Sequence, residues 1–384
     1  MRSKPNYEEA LKPTWRSPSP VLGLVLSVVA LTLLGLVVLF SASLSPQAVG
    51  AFKKQIIFLG IALVAGVITA RFDLDFFRAR PVIITVAVLT FIILLAVLIP
   101  GVGIKVNGAR RWLGGLGPMR LQPSELSKIS LVFVLSAYLS AHQRQMHTFL
   151  KGFVIPGGIV AVFAGLIIVE PDFGTAFLCG IVGMAMMFLA GTRLLFLLPS
   201  IFGALGLFAI AIALDPVRAK RITSFLDVEA HKSDGAYQLW QGILAFAAGG
   251  IEGVGLGQGR QQLAFLPEAH TDFIFPIIGE ELGLIFTLGV ALLFLLIFVF
   301  GIAILRRAPT LHQFLLGAGS LLFICLQALI NMGVVTGCLP TKGMSLPFIS
   351  YGGSNLVVMF VFVGILLNCV QSWNRGPLVR ATEM

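Results

Sequence analysis

Four short stretches of this 384-residue chain hold most of the side chains able to do chemistry beside hydrocarbon. The densest is Leu266-Pro-Glu-Ala-His-Thr-Asp-Phe-Ile-Phe275, followed by Gly279-Glu-Glu-Leu-Gly283. It sets Glu268, His270 and Asp272 within five residues, with Glu280 and Glu281 eight and nine residues beyond Asp272, a spacing that revisits similar helix faces. Crowded carboxylates raise one another's pKa toward the range of a general base. The plainer alternative is that Thr271 or Asp272 caps the helix that follows. One His among acids, with no second ligand at metal spacing, defines no metal site.

The other three stretches are equally polar for their surroundings. Asn107-Gly-Ala-Arg-Arg-Trp112 precedes Gln122-Pro-Ser-Glu125 and Lys128. Arg110 and Arg111 offer forked donors suited to phosphate oxygens, and Trp112 suits the headgroup level; a loop that merely anchors the bundle would also use them. Glu170-Pro-Asp-Phe-Gly-Thr175 puts two carboxylates next to apolar runs, where Asp172 either caps a helix or supports a polar cavity. Leu339-Pro-Thr-Lys-Gly343 and Leu346-Pro-Phe-Ile-Ser-Tyr-Gly-Gly-Ser-Asn355 carry Lys342 and Ser350 on irregular backbone. Such backbone is tolerated at membrane depth where it is buried in protein or lines a polar cavity, though a re-entrant turn with a snorkelling Lys would read alike. Gly255-Leu-Gly-Gln-Gly259 resembles a nucleotide loop only superficially, because no buried parallel strand precedes it.

What positions these stretches is a set of apolar runs. With 57% hydrophobic and 11% charged residues, the chain is neither a soluble globule nor disordered. Seven runs are long enough to span: 21–40, 81–100, 153–169, 194–214, 282–305, 314–335 and 356–370. Weaker ones at 56–70, 126–139 and 176–190 bring the expectation to ten helices in an all-α, polytopic membrane fold. Their continuity excludes a barrel. The first run, behind twenty polar, proline-containing residues and lacking a small-residue cleavage site, reads as an anchor. The expected organisation is a tail at 1–20, a membrane domain at 21–372 with a long loop at 215–272 between helices seven and eight, and a tail at 373–384. Residues 242–251 inside that loop are apolar but too short to span, which suits a re-entrant segment.

Orientation comes from the cations. Fourteen Lys and Arg lie on the side of the termini and thirteen opposite. Setting aside the five in the long loop leaves fourteen against eight, so the termini are expected in the cytoplasm. The outer side still keeps a surplus of cations concentrated in few loops. Despite a formal net charge of +10, no basic stretch is interleaved with stacking aromatics, so acidic or phosphorylated lipid fits better than nucleic acid. Cys179, Cys325, Cys338 and Cys369 are scattered, and suggest neither disulfides nor zinc.

Taken together and in order, the blocks Asn-Gly-Ala-Arg-Arg-Trp, Gln-Pro-Ser-Glu, Pro-Asp-Phe-Gly-Thr, Leu-Pro-Glu-Ala-His-Thr-Asp-Phe-Ile-Phe, Gly-Glu-Glu-Leu-Gly, Pro-Thr-Lys-Gly and Ser-Tyr-Gly-Gly-Ser resemble the SEDS (shape, elongation, division and sporulation) family of FtsW/RodA-type peptidoglycan glycosyltransferases. The resemblance covers nearly the whole chain. Arg110-Arg111-Trp112 and Ala269-His270 resemble the division branch more than the elongation branch. Asn355 departs from the family, which more often has Ser there.

The resemblance implies polymerisation of lipid II at the outer face of the cytoplasmic membrane, at the division septum. Asp272 matches the family's essential aspartate and would be the general base. Arg110, Arg111, Trp112, Glu125, Lys128, Asp172, Glu268, His270, Lys342 and Ser350 would contact substrate, the cations stabilising a prenyl diphosphate leaving group. No cofactor is specified; a divalent cation, Mg2+ or Mn2+, is the candidate. The implied partners are a class B penicillin-binding protein, which would supply transpeptidation, other divisome proteins and membrane lipid. Two other classes remain open at this level: a lipid II flippase or secondary transporter, disfavoured because the polar groups cluster on one side, and a noncatalytic scaffold.

Overall fold

The computed structural model describes residues 20–41, 46–106, 109–114, 120–214, 216–261 and 270–374. Helices α1 (Pro20–Ser41), α2 (Pro46–Arg71) and α3 (Arg80–Leu98) come first. A small antiparallel sheet follows, β1 (Gly103–Val106), β2 (Ala109–Gly114) and β3 (Arg120–Leu121), in that order. Then come α4 (Pro123–Ala141), α5 (Ile155–Val169, entered through a π turn Leu150–Val154), α6 (Phe173–Leu189) and α7 (Leu194–Ala213). Helices α8 (Pro216–Leu226) and α9 (Tyr237–Gly249) precede α10 (Ile274–Leu305), α11 (Leu311–Val335) and α12 (Gly353–Asn374).

The ten expected runs each fall on a helix. Eight helices among the described residues are long and apolar enough to cross a membrane; Phe173–Leu189 and Leu194–Gly206 are apolar but shorter. Three departures matter for the site. The polar outer segment between α3 and α4, expected as a loop, carries the β-sheet, so the fold is not purely helical. The long loop contains two helices, and residues 242–251 lie mostly in α9. Helix α10 begins eight residues before the expected start at Leu282.

That last difference has a local cause. Helix α10 is broken at Gly283 (φ 78°, ψ −172°), so the expected start coincides with the kink, and residues 274–282 form a separate half-helix. The break frees the carbonyls of Glu280 and Glu281, which take N–H groups of Val254 and Gly255 at 2.9 and 3.0 Å. Leu284 N–H donates instead to Gly250 C=O at 3.0 Å. The glycine-rich loop after α9 thus replaces the helical bonds lost at the kink. A Cβ on Gly283 would stand 2.3 Å from Ile251 O, so no side chain fits there.

Burial sorts the bundle into a centre and a rim. In the spanning windows of α4 and α12, 72% of residues are buried, and in α11 67%, against 17% in α2 and α3. The central helices therefore carry buried polar residues, Lys128, Gln327, Asn331 and Asn355 among them, which hydrocarbon would penalise. Rim helices present Val, Leu and Ile outward, as lipid requires.

Candidate active site

Asp272 stands two residues before α10, at the head of the half-helix. The cap position of α10 is Phe273, without a side-chain cap bond, so Asp272 does not serve as the cap. Its backbone carbonyl accepts from Asn331 Nδ2 at 2.9 Å, and the same amide donates to Met344 O at 2.6 Å. Asn331 thereby ties α11 to the acid and to the Pro340 loop. A Cβ on Gly343 would lie 2.7 Å from Asp272 Oδ2, so the absence of a side chain at 343 makes room for the carboxylate.

The half-buried Asp272 faces a cavity of about 280 Å³. Arg111, Trp112, Glu125, Lys128 and Asp172 also line it. Lys128 is buried and paired with Glu125 Oε1 at 2.7 Å, and it donates to Gln327 Oε1 at 2.8 Å. Gln327 Nε2 donates in turn to Ser345 O and Asn355 Oδ1, both at 2.9 Å. Asn355, the departure from the family's usual Ser, thus has its own partner. Glu125 Oε2 has no hydrogen-bond partner among the described residues, which leaves a buried acceptor at the cavity.

The second wall is the Glu170–Asp172 hairpin. Asp172 Oδ2 accepts from Ser124 Oγ at 2.9 Å and Gln122 Nε2 at 3.1 Å, while Oδ1 caps α6 through Thr175 N–H at 3.3 Å. Both readings of Asp172, cap and cavity wall, therefore hold. Arg111 reaches the hairpin because of a bulge: Ile104 pairs with Trp112 and Lys105 with Arg110, which leaves Arg111 as the extra residue. Its guanidinium donates to Glu170 O at 3.1 Å and to Pro171 O. Burial, and then Asp172, push the Glu170 carboxyl up to about 8, against the pull of Arg111. Both Glu170 oxygens are buried without a hydrogen-bond partner among the described residues.

Several expected site residues stand elsewhere. Arg110 Nη1 lies 3.5 Å from Leu98 O and lines neither this cavity nor its neighbour. His270 lines neither cavity; its carbonyl accepts from Tyr351 N–H at 2.8 Å. Ser350 is buried off the cavity, where its hydroxyl accepts from Leu346 N–H at 2.7 Å across the turn that holds Phe348 at φ 66°. Glu268 lies outside the described residues. Glu280 and Glu281 do not join Asp272. Glu280 accepts from the N–H groups of Arg260 and Gln261, and Glu281 from Ser41 Oγ and Gly257 N–H.

Lys342 occupies a neighbouring cavity of about 250 Å³ that shares Arg111, Asp172 and Gly343 with the first. Its Nζ donates to Phe173 O at 3.1 Å and stands 4.8 Å from the Phe177 ring centroid. Burial pushes the ammonium down to about 8, with Asp172 opposing. No group of three or more His, Cys, Asp or Glu able to hold a metal occurs among the described residues.

A polytopic helical membrane protein with a buried polar cavity, lined by Glu125, Asp172 and Asp272 and by Arg111 and Lys128, is the class that fold and site define. The "Cell cycle protein" family profile, covering FtsW, RodA and SpoVE, matches residues 22–374, and the chain belongs to that family. It is 42% identical to the probable peptidoglycan glycosyltransferase FtsW of Nitrosococcus halophilus, over 94% of this chain and 95% of that one. It is 38% identical to the stage V sporulation protein E of Bacillus subtilis, over 94% of this chain and 100% of that one. Among solved structures, a peptidoglycan synthase complex described for its coordination of polymerization and crosslinking superposes with a TM-score of 0.74 at 26% identity, covering 92% of this chain and 98% of that one. The rod shape determining protein RodA of Thermus thermophilus superposes at 0.68 with 25% identity, over 95% of this chain and 100% of that one.

Proposed function

We propose that this protein is a peptidoglycan glycosyltransferase of cell division that polymerises lipid II at the outer face of the cytoplasmic membrane, with its termini in the cytoplasm. The observation that carries the reading is Asp272, held by Asn331 and Gly343 at the wall of the Arg111–Lys128 cavity. A carboxylate there takes the proton of the acceptor sugar 4-hydroxyl as its oxygen attacks the donor's anomeric carbon. Arg111 and Trp112 orient the sugar-linked phosphates, while the Glu125–Lys128–Gln327 network keeps the floor polar and rigid.

Labelled lipid II turned over by the purified protein tests the assignment. Asp272→Asn, nearly isosteric and unable to act as a base, lowers the rate by about 100-fold or more. Parental turnover by that variant would remove Asp272 from the base role.

The partner is a class B penicillin-binding protein at the septum, beside other divisome proteins. The reading is supported by the fold shared with the peptidoglycan synthase complex. Docking of this transpeptidase shifts the glycine- and proline-rich cavity loops toward their active arrangement. Polymerase rates with and without it, including a form lacking its nucleophilic serine, test activation; equal rates in all three reject it.

A further inference from the structure

A buried glutamine beside hydrocarbon signals that its amide has partners. Helix α2 belongs to the rim, and among its described side chains Gln55 is the only buried polar one, 3% exposed. It lines neither cavity. The amide instead meets the turn that precedes α12: Nε2 donates to the Ser350 C=O at 3.1 Å, and Oε1 accepts from the Gly352 N–H at 3.4 Å. Turning the amide over would set its oxygen against the Ser350 carbonyl, so the chemistry fixes which end donates. The two bonds bracket Tyr351.

Close helix packing brings Gln55 to that turn. A Cβ on Gly66 of α2 would stand 2.9 Å from Phe360 O, and one on Gly364 of α12 would stand 2.5 Å from Gly66 O, so the two backbones approach with no side chain between them. At the start of α12 the Phe58 ring occupies the place of a Cβ on Gly353, and Gln55 lies about one helical turn before Phe58. The turn itself needs restraint. Phe348 sits at φ 66°, in the left-handed region that a bulky residue avoids, and neighbouring bonds must hold it there. Ser350 Oγ closes one end by accepting from Leu346 N–H at 2.7 Å, and Gln55 closes the other.

From the turn the bonds lead to the acid. Tyr351 N–H donates to the His270 C=O at 2.8 Å, and two residues on the Asp272 C=O accepts from Asn331 at 2.9 Å. The segment that presents Asp272 is thus held at alternate carbonyls, by α11 directly and by α2 through the turn. Thr271, Asp272, Tyr351 and Gly352 all line the catalytic cavity.

We propose that Gln55 is a positioning residue for the reaction: it holds the turn at Tyr351 and, through the Tyr351 N–H, the segment 270–272, so that Asp272 keeps its place in the cavity. The inference rests on the general-base reading of Asp272. Gln55 acts only through geometry, on the alignment with which the acid meets the acceptor hydroxyl.

Turnover of labelled lipid II by the full chain in detergent tests this, at a temperature where every variant is folded, so that lost stability alone leaves kcat at the parental value. Gln55→Met keeps the length and packing of the side chain and loses both bonds; it lowers kcat about tenfold or more and leaves the KM for lipid II within about twofold. Gln55→Asn, one methylene too short to reach the turn, does the same. Ile57→Ala, on the lipid-facing side of the same helix and 50% exposed, keeps the parental kcat. In the already slowed Asp272→Asn protein, adding Gln55→Met slows turnover no further, because the acid it positions is gone. Amide hydrogen exchange at 270–272 and 350–352 quickens in Gln55→Met. Parental kcat in both Gln55 variants overturns the proposal, and so does a loss confined to melting temperature, which would mark Gln55 as packing, or to KM, which would mark it as part of substrate binding. A full further loss in the double variant overturns the route through Asp272. Parental turnover by Asp272→Asn would instead overturn the general-base reading and leave the exchange result, and with it the clamp, standing.

Discussion

Two acid pairs near the cavity end of the bundle meet opposite surroundings. Glu280 and Glu281 are buried but saturated, by the N–H groups of Gly257, Arg260 and Gln261 and by Ser41 Oγ. In the Glu170–Asp172 pair the bonds are divided unequally: Asp172 takes Ser124, Gln122 and the Thr175 N–H, and Glu170 takes none among the described residues. A carboxylate beside hydrocarbon is thus kept in two ways, by backbone donors that replace water or by a raised pKa that favours the neutral acid. The first way builds a joint, since Glu280 and Glu281 stitch the broken α10 and α1 to the glycine loop. The second sits at the wall that Arg111 clasps.

Breaking the saturated pair has the largest expected effect. Glu281→Ala orphans Gly257 N–H and Ser41 Oγ, costs on the order of 2–4 kcal/mol, and loosens the half-helix that carries Asp272. Thermal unfolding in detergent together with polymerase rate checks this; an unchanged melting temperature would dissolve the contrast. Asp172→Ala removes a helix cap and the partner of Ser124, and costs on the order of 1–3 kcal/mol. Asp172→Asn, which keeps acceptor capacity, recovers part of the loss in the same melting assay.

A pH profile sharpens the comparison at Lys342, which shares its cavity with Asp172, Arg111 and Arg221. Because burial lowers it to about 8, the lysine discharges as pH rises through 8, and transferase activity falls over that interval. Lys342→Arg stays charged and flattens the fall. Stability moves the other way, since between about 8 and the ordinary 10.5 the unfolded chain binds more protons and the native state gains as pH rises.

The smallest effect belongs to Glu170→Gln. A carboxyl raised from 4.5 to about 8 means that the native state holds the extra proton in that window, so parental stability declines as pH rises across it. The glutamine variant mimics the protonated acid, shows little change at pH 5, and declines less toward pH 8. Parallel melting-temperature curves for the two proteins would contradict the raised pKa.

Much of this was legible in the chain itself, because a spanning helix announces itself by twenty apolar residues and a cap or turn by local chemistry. The ten runs and the Asp172 cap could be read that way, whereas Asp272 was singled out through the family resemblance. Gln327 and Asn331 were not singled out, although they lie four residues apart on one face of an apolar helix, where a polar side chain signals a partner. Placing Glu280 and Glu281 with Asp272 followed helical spacing, but Asp272 stands before the helix begins, and both glutamates turn to the N–H groups of 257–261 and to Ser41. The β-sheet escaped notice because its strands are short and irregular, and the Arg111 bulge depends on pairing across strands.

By itself the sequence determined a polytopic helical bundle and the stretches that carry its polar chemistry, because burial period and local backbone preference are properties of neighbouring residues; within its stretch Asp272 stood out only through the family resemblance. Only the tertiary structure decided which of those groups share a cavity. Lys342 and Asp272 line separate cavities that share Gly343, Arg110 and Ser350 lie off both, and Asn331 holds Asp272 from a helix 59 residues away along the chain. Such separations close only when the helices pack, and no periodicity within a single segment records which of its faces a distant segment will meet.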